Sequence, residues 1–371
     1  MRWRLWRAFN PTLFFIPIIL TAVGIVVIYS ITYTGVTDLW LQQLVFALIG
    51  LFLLFFFTFF DYRNLRALAP VLFIAGLLLL GLVALPRLFS GLYDSSFFIT
   101  SFGATRWINL GLFQLQPSEV EKLILLIAIA ALLSQEKERS VHELVLVFLI
   151  VIFPIALILT QPDLGTAVIV VIGASAIVLA AGFSRMLMTG CGFLFVAFSP
   201  LLWSFLRDYQ KERLVTFLNP GRDPLGAGYN VLQSQIAIGS GGIFGRGLGF
   251  GSQSQLNFLP VAHTDFIFAG FAEATGFIGS FILIGVIALL LSQVLTVAKV
   301  AHDRFGMLLA LGIGVTLFAQ FFINIGMNLG LLPVTGIPLP FLSYGGTSLL
   351  VNMIALGILQ SIYIRRKKIT F

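Results

Sequence analysis

The chain has very little charge for its length. Only 10% of its 371 residues are Asp, Glu, Lys or Arg, whereas 59% are hydrophobic. A soluble domain has about 25% charged residues, so this composition excludes an ordinary soluble fold. The sequence instead contains repeated apolar runs of the roughly 20 residues that one helix needs to cross a bilayer. We therefore predict an all-α, polytopic integral membrane protein that forms a single membrane domain over residues 1–371.

Cysteine is scarce as well, because Cys191 is the only one. No disulfide within the chain and no cluster of thiolate metal ligands can form. The sequence also lacks a GxxxxGK[ST] motif and a GxGxxG motif that follows a strand, which excludes the common nucleotide-binding signatures. The basic residues 1–10, "MRWRLWRAFN", precede an apolar run without a small-residue cleavage site, and they predict a retained first helix.

Ten apolar segments predict ten transmembrane helices, with Gly or Pro inside several of them, as membrane helices tolerate. An even number of spans places both termini on one side of the membrane. The predicted spans cover approximately residues 13–31, 39–60, 69–85, 118–134, 143–160, 164–182, 186–206, 265–291, 306–329 and 347–364.

The distribution of Lys and Arg predicts the orientation, since cytoplasmic loops collect positive charge. Fourteen of the 22 Lys and Arg residues fall on the side that holds both termini, which is therefore predicted to be the cytoplasm. The other side is unexpectedly basic, and its cations all lie in two long loops, about 86–117 and 207–264, the larger one between helices 7 and 8. These cations are Arg87, Arg106, Arg207, Lys211, Arg213, Arg222 and Arg246.

The larger loop contains ten glycines between positions 221 and 251. Glycine lets a backbone approach a ligand closely and adopt positive φ. The loop is also rich in apolar and aromatic residues, unlike the polar composition of disordered chain. A binding loop and a merely flexible loop remain as alternatives.

The stretch "LPVAHTDFIFAGFAEATGF", residues 259–277, is apolar but includes His263, Asp265 and Glu273. An ionisable residue at the centre of a membrane helix costs on the order of 2.5 to 3.5 kcal/mol, so such residues normally face a cavity or one another. Asp265, at the outer end of the span, is a candidate general base in an outward-facing cavity. Alternatively, Thr264 or Asp265 caps the helix N-terminus. Glu273, two turns deeper, is predicted to be an internal hydrogen-bonding partner.

Two further polar clusters lie at the ends of predicted spans. In "QLQPSEVEKLILL", Glu119 and Lys122 are three residues apart and share a helix face, which predicts an ion pair that is either a structural tie or part of a site. In "TQPDLGTA", Asp163 occupies a short turn between two spans, and turn formation alone explains it.

These motifs resemble those of the SEDS family (shape, elongation, division and sporulation). The resemblance rests on "RWINLGLFQLQPSEVEK", "TQPDLGTA", "GYNVLQSQIAIGSGGIFGRGLGFGSQSQLNFLPVAHTDFIFA" and "LLPVTGIPLPFLSYGGTS", and it extends over essentially the whole chain. Within the family, Pro338 makes the last motif more similar to elongation-type members, because division-type members more usually have threonine there. Ala262 departs from the pattern, since many members have glutamate at this position.

The resemblance implies a peptidoglycan glycosyltransferase that polymerises lipid II into glycan strands at the outer face of the cytoplasmic membrane during cell elongation. It implies Asp265 as the catalytic residue, and a divalent cation, Mg²⁺ or Mn²⁺, for which the sequence offers no evident site. The implied partners are lipid II, the growing glycan, membrane lipid and a class B penicillin-binding protein; no nucleic acid is expected. The substrate-binding residues implied or adjacent are Arg106, Glu119, Lys122, Arg213, Arg246, His263 and Thr264.

Three other functions fit parts of the sequence. A flippase for the same lipid would also have intramembrane charges and glycine-interrupted spans. However, the spacing of the spans reveals no inverted repeat, and the polar residues concentrate on the outer side rather than at the midplane. A division-type polymerase would use the same chemistry. A scaffold without catalytic activity would need neither the glycine-rich loop nor Asp265.

Overall fold

The computed structural model describes residues 8–32, 38–88, 98–101, 104–111, 113–135, 140–184, 186–187, 189–190, 208–218, 227–256 and 258–366. These residues are mostly helical, as predicted. The helices are α1 (Pro11–Thr32), α2 (Leu39–Phe59), α3 (Arg63–Leu88), α4 (Pro117–Leu132), α5 (Val141–Thr160), α6 (Leu164–Ala180), α7 (Asp208–Leu218), α8 (Ala227–Ser240), α9 (Ser252–Gln255), α10 (Ile267–Val300), α11 (Arg304–Asn328) and α12 (Gly346–Ile364).

Within the described residues, seven helices are long and apolar enough to cross a membrane, namely α1, α2, α3, α5, α10, α11 and α12. The chain is therefore a multi-pass membrane protein. Two more predicted spans, 118–134 and 164–182, coincide with the shorter helices α4 and α6. The predicted span at 186–206 lies almost entirely outside the described residues, so the structure does not provide the tenth helix.

A small sheet interrupts the predicted all-α architecture. Strands β1 (Phe98–Ser101), β2 (Ala104–Asn109) and β3 (Gln114–Leu115) pair antiparallel in the order β1-β2-β3. They lie inside the predicted loop 86–117, and β2 has the β-branched and aromatic residues that favour strands. The strictly all-α prediction is wrong at this point, because strands of two to six residues leave no signal in a search for long apolar runs.

Small residues let the membrane helices approach each other closely. Helices α2 and α12 pack together, and Gly50 and Gly357 lie at their contact. A Cβ at Gly50 would come within 3.0 Å of the Met353 side chain, and one at Gly357 within 2.7 Å of the carbonyl oxygen of Leu54. Association through small residues is the usual arrangement where lipid removes the hydrophobic drive between helices.

Helix α10 is broken at Gly276, whose φ of 68° and ψ of −163° lie in a region that only glycine adopts readily. The break frees backbone groups, and residues 241–250, which we name the break loop, satisfy them. The amides of Arg246 and Gly247 donate to the carbonyls of Glu273 and Ala274, each at 3.0 Å. In return, the amides of residues 277 and 278 donate to the carbonyls of residues 242 and 243, at 2.9 and 3.2 Å.

The break loop approaches α10 so closely that its glycines are required. A Cβ at Gly241 would collide with the carbonyl of Ala272, and one at Gly245 would collide with the backbone of residues 274–275. Close approach was predicted from the glycine content, with a ligand as the neighbour. The observed neighbour at these positions is a helix of the same chain, and the loop is not merely flexible.

Gly276→Ala is expected to destabilise the protein strongly. Its Cβ would lie 2.7 Å from the carbonyl oxygen of Ile243 and would also meet the amide of Gly245, and the backbone angles alone cost about 1–3 kcal/mol in a residue other than glycine. Thermal unfolding in detergent measures the effect. The matched control is Gly285→Ala in the same helix, where a Cβ meets nothing within 4 Å. Equal melting temperatures for the two variants would contradict the assigned break.

Candidate active site

The backbone around Asp265 is held by three successive carbonyls. The carbonyl of His263 accepts from the amide of Tyr344 at 2.8 Å, and that of Thr264 accepts from Oγ of Ser343 at 2.6 Å. The carbonyl of Asp265 accepts from the side-chain amides of α11 described below. This short segment therefore has a fixed path between α11 and the chain that leads into α12.

Two asparagines in the last turns of α11 hold Asp265 itself. Nδ2 of Asn324 and Nδ2 of Asn328 donate to its carbonyl oxygen at 2.9 and 3.0 Å. Oδ1 of Asn328 also accepts from the amide of Ala269 at 3.2 Å. Both asparagines are fully buried. They lie at the C-terminal end of α11, so Asp265 lies at the level of that end of the helix.

The alternative that Thr264 or Asp265 caps α10 is wrong. The helix begins at Ile267, its N-cap residue is Phe266, and no side chain of that residue makes a capping bond. Asn328, which is remote in sequence, accepts from the third helical amide instead. Within the described part of the chain, both hydrogen bonds of Asp265 use its carbonyl, and its carboxylate accepts none.

Asn328→Leu is expected to reduce activity and stability together. The leucine would remove the hydrogen bonds that the side chain of Asn328 makes to the carbonyl of Asp265 and to the amide of Ala269, and each lost hydrogen bond costs about 0.5–1.5 kcal/mol. Unfolding temperature and polymerisation rate are the measurements. Asn352→Leu is the matched control, because this equally buried asparagine makes only a 3.5 Å hydrogen bond to Ser348. Equal effects of the two variants would contradict the role given to Asn328.

The carboxyl of Asp265 has an unusual environment for an acid. Its side chain retains some exposure, but burial is the largest influence and raises the pKa of Asp265 from 3.8 to about 6. The positive charges of Arg213 and Arg106 oppose this rise, and the negative charge of Asp163 adds to it. A carboxyl with this pKa is ionised at neutral pH and retains a substantial affinity for a proton.

Gly336 leaves open the space between the acid and one of the arginines. A Cβ at this position would lie 3.7 Å from Oδ2 of Asp265 and 4.0 Å from Nη1 of Arg213. Its φ of 73° is left-handed, which also favours glycine. The carboxylate and the guanidinium therefore border the same small space. Arg213 also lines an adjoining pocket of about 40 Å³ between α7, α8 and residues 330–334.

Arg106 reaches the site from β2. Its Nε and Nη2 donate to the carbonyls of Gln161 and Pro162, at 2.8 and 2.6 Å, in the turn between α5 and α6. Asp163 follows in that turn and does more than the sequence predicted. Its Oδ1 accepts from the amide of Thr166 and so caps α6, its Oδ2 accepts from Oγ of Ser118 at 3.2 Å, and its charge acts on Asp265.

The predicted pair of Glu119 and Lys122 is present. Nζ of Lys122 lies 2.8 Å from Oε2 of Glu119, and each side chain is only 4% exposed. The geometry of the pair is therefore confirmed, and its deep burial favours the structural alternative. A contact of either residue with substrate stays a prediction.

Lys122→Met is expected to destabilise the fold, because it leaves Glu119 charged and unpaired in the interior. The loss of one partner from a buried pair costs about 3–5 kcal/mol, whereas neutralising both partners is often tolerated. The double variant Glu119→Gln/Lys122→Met should therefore unfold at a higher temperature than the single variant. If Lys122→Met kept full stability and lost only polymerisation, the pair would act on substrate instead.

Arg246 and Glu273 lie together at the break of α10. Nε of Arg246 donates to the carbonyl of Ser240 at 3.0 Å, and its side chain is exposed. The arginines that act on the pKa of Asp265 are Arg213 and Arg106, so the structure does not bring Arg246 into this group. The carboxylate of Glu273 accepts from the amides of Gln253 and Ser254 at 2.9 and 3.0 Å. Its predicted role as an internal partner is confirmed.

His263 and Thr264 flank the acid. The imidazole of His263 lies edge-on to the ring of Tyr344, with centroids 5.9 Å apart. Burial lowers the pKa of His263 from its ordinary value, which favours the neutral imidazole. The hydroxyl of Thr264 donates to the carbonyl of Val261 at 3.3 Å. Substrate binding by these two residues stays a prediction.

The fold and the site define a multi-pass membrane protein with a carboxylate and two arginines gathered at one end of its helices. The family model FTSW_RODA_SPOVE, described as "Cell cycle protein", matches residues 11–368. The chain therefore belongs to this family, the SEDS family, as the sequence motifs predicted.

Curated relatives and solved structures agree with this membership. The chain is 43% identical over 272 residues to peptidoglycan glycosyltransferase MrdB of Escherichia coli K12, which covers 73% of this chain and 74% of the relative. It is 36% identical to the probable peptidoglycan glycosyltransferase FtsW of Trichlorobacter lovleyi, over 95% and 93% of the two chains. The crystal structure of Thermus thermophilus rod shape determining protein RodA superposes with a TM-score of 0.71 at 30% identity, over 98% and 99%.

A further solved structure concerns coordination of polymerization and crosslinking by a peptidoglycan synthase complex. One of its chains superposes with a TM-score of 0.79 at 32% identity, over 96% of this chain and 97% of that one.

Proposed function

We propose that this protein is a peptidoglycan glycosyltransferase that polymerises lipid II into glycan strands, with Asp265 as the general base. The similarity to MrdB and FtsW supports the reaction class. The observation that supports the role of Asp265 is its environment. The carboxylate has a pKa of about 6, accepts no hydrogen bond from the described residues, and shares an open space with Arg213.

In the proposed step, the 4-hydroxyl of an N-acetylglucosamine unit attacks C1 of an N-acetylmuramyl pyrophosphate. The new C1–O bond forms as the bond from C1 to the pyrophosphate oxygen breaks, and the configuration at C1 inverts. Asp265 accepts the proton of the attacking hydroxyl, and undecaprenyl pyrophosphate leaves with its negative charge. The guanidinium of Arg213 lies near Asp265 and stabilises this developing charge, because arginine matches phosphate oxygens with paired N–H donors.

Arg106 and a divalent cation have smaller roles in this proposal than Arg213. Arg106 already donates two N–H groups to backbone carbonyls, so it acts mainly through its charge on Asp265. Mg²⁺ or Mn²⁺ belongs to the proposal only as a companion of the substrate pyrophosphate. The described residues provide no group of three His, Cys, Asp or Glu side chains that fits a metal ion, and no step here uses one.

The proposed topology has ten spans, with both termini cytoplasmic and the site facing the periplasm or exterior. Seven long helices, the shorter α4 and α6, and the segment 186–206 make up the ten. The end of α11, the turn between α5 and α6, and the start of α10 all meet near Asp265. A site at this level is accessible to a sugar headgroup whose lipid remains in the outer leaflet.

The proposed partner is a class B penicillin-binding protein that crosslinks the glycan. Its support is the likeness to a chain of a synthase complex that coordinates polymerization and crosslinking. The likeness to the rod shape determining protein RodA of Thermus thermophilus, together with Pro338 in the last motif, favours an elongation role for this chain.

Purified protein incubated with lipid II tests the function. The proposal expects glycan strands of several disaccharides, resolved by gel electrophoresis and digested by a muramidase. Leaflet exchange of labelled lipid II in vesicles, without polymer, would instead identify a flippase. If the protein showed a cooperative melting transition but neither activity, a scaffold without catalytic activity would be the remaining function.

A further inference from the structure

The break loop, residues 241–250, has an exposed apolar surface that the function proposed above does not use. Phe244 and Phe250 are 81% and 78% exposed, and Ile243 and Leu248 are exposed as well. Four large apolar side chains exposed within eight residues are unusual for a surface in water and indicate contact with a membrane or another protein. The loop is nevertheless rigidly placed, because four backbone hydrogen bonds join it to both sides of the break in α10.

The position of the break identifies the level of this surface. From Phe277 to Val300, α10 has 24 residues, which span about 36 Å at 1.5 Å per residue. That length alone crosses a hydrocarbon core of about 30 Å. The segment before the break is almost entirely buried, whereas Phe277 and Phe281 immediately after it are exposed. The break therefore lies where the lipid-facing part of the helix ends.

The apolar surface of the loop is continuous with that lipid-facing surface. The carbonyls of Gly242 and Ile243 accept from the amides of Phe277 and Ile278, so the loop lies directly beside the first lipid-facing turn. The exposed Arg246 lies between Phe244 and Phe250 in the sequence, and its Nε donates to the carbonyl of Ser240. Exposed Phe and Leu side chains beside an arginine are typical of segments that lie at the boundary between acyl chains and phosphates.

We propose that the break loop is inserted into the outer leaflet of the membrane, with Phe244 and Phe250 among the upper acyl carbons and Arg246 at the level of the phospholipid phosphates. The loop thereby anchors the start of α10, and with it the segment that holds Asp265, at the membrane surface. The insertion is inferred from the position of the loop, and the assignment to the outer leaflet rests on the topology proposed above. Neither rests on the proposed reaction.

Spin labelling in proteoliposomes of zwitterionic and anionic phospholipid tests the insertion. The single native cysteine is first removed as Cys191→Ser, and one nitroxide is attached in each of the variants Phe244→Cys and Phe250→Cys. Collision with molecular oxygen, which concentrates in lipid, is compared with collision with a water-soluble nickel chelate. Phe281→Cys in the spanning part of α10 is the lipid control, and Glu212→Cys, an exposed acid of α7, is the water control.

The proposal expects the oxygen-to-nickel collision ratio at residues 244 and 250 to exceed that at residue 212 several-fold and to approach that at residue 281. A ratio equal to that of the water control would overturn it. Low collision rates with both reagents would also overturn it, because they would mean that protein covers the loop. Cooperative melting of each labelled variant confirms that the fold is intact, and polymerisation activity does not enter the readout.

Discussion

Asp265→Asn is expected to remove nearly all polymerisation of lipid II by the purified protein while the fold remains intact. The asparagine keeps the size and the backbone bonds of the residue, but it cannot accept a proton from the attacking hydroxyl. General base catalysis contributes about 10²- to 10⁴-fold to a rate. The polymerisation rate of the variant should therefore be lower than that of the wild type by at least this factor. Glycan formed per unit time is the measurement.

The stability of this variant serves as the internal control. The folded-state pKa of Asp265, about 6, lies above its ordinary value of 3.8, because burial disfavours the charge. The ionised carboxylate thus opposes folding above pH 6, and this penalty disappears as the pH falls through 6 towards 4. A neutral asparagine should therefore melt at the same or a higher temperature than the wild type at pH 7. A variant that still produced long glycan would exclude Asp265 as the base.

Arg213→Gln is expected to reduce the polymerisation rate by about 10²- to 10³-fold, the usual cost of one donor that stabilises developing negative charge. A second effect should accompany the first, because Arg213 holds the pKa of Asp265 down. Its removal raises that pKa, so the acidic limb of the pH–rate profile should move to higher pH. Initial rates across pH measure both effects.

Two variants make this result specific. Arg213→Lys keeps the charge but not the paired donors, so it should restore the position of the acidic limb more fully than the rate. Arg246→Gln removes an exposed arginine that belongs to the break loop, and it should lose far less activity. If Arg213→Gln changed neither the polymerisation rate nor the acidic limb of the pH–rate profile, Arg213 would be only a surface charge.

The position of the candidate site could be proposed from the sequence, but the contacts that hold Asp265 in place could not. Asp265 was identifiable because an acid at the end of an apolar span requires an explanation. Asn324 and Asn328, which hold Asp265, and Ser343, which holds the preceding Thr264, lie at least 59 positions away. No local pattern connects them. A signal did exist, since two asparagines four residues apart share one face of a largely apolar helix.

The structure of the glycine-rich loop could also be predicted only in part. Glycine reports that a backbone must come close to something or adopt an unusual conformation, and both occur at Gly245 and Gly276. The partner in that approach is decided by tertiary packing, and it is α10 rather than a ligand. The roles of Asp163 and of strands β1 to β3 were missed for the same reason, because each depends on neighbours that are distant in sequence.

The most direct test of the account is the pH dependence of kcat/KM for lipid II between about pH 4.5 and 8, since this ratio reports the ionisation of essential groups in the free enzyme. The account predicts a rate that rises with pH through an apparent pKa of about 6, the value of Asp265 in the folded protein. The residual activity of Asp265→Asn should lack this limb. A wild-type profile that is flat over this range, or a limb that persists in the variant, would contradict Asp265 as the base.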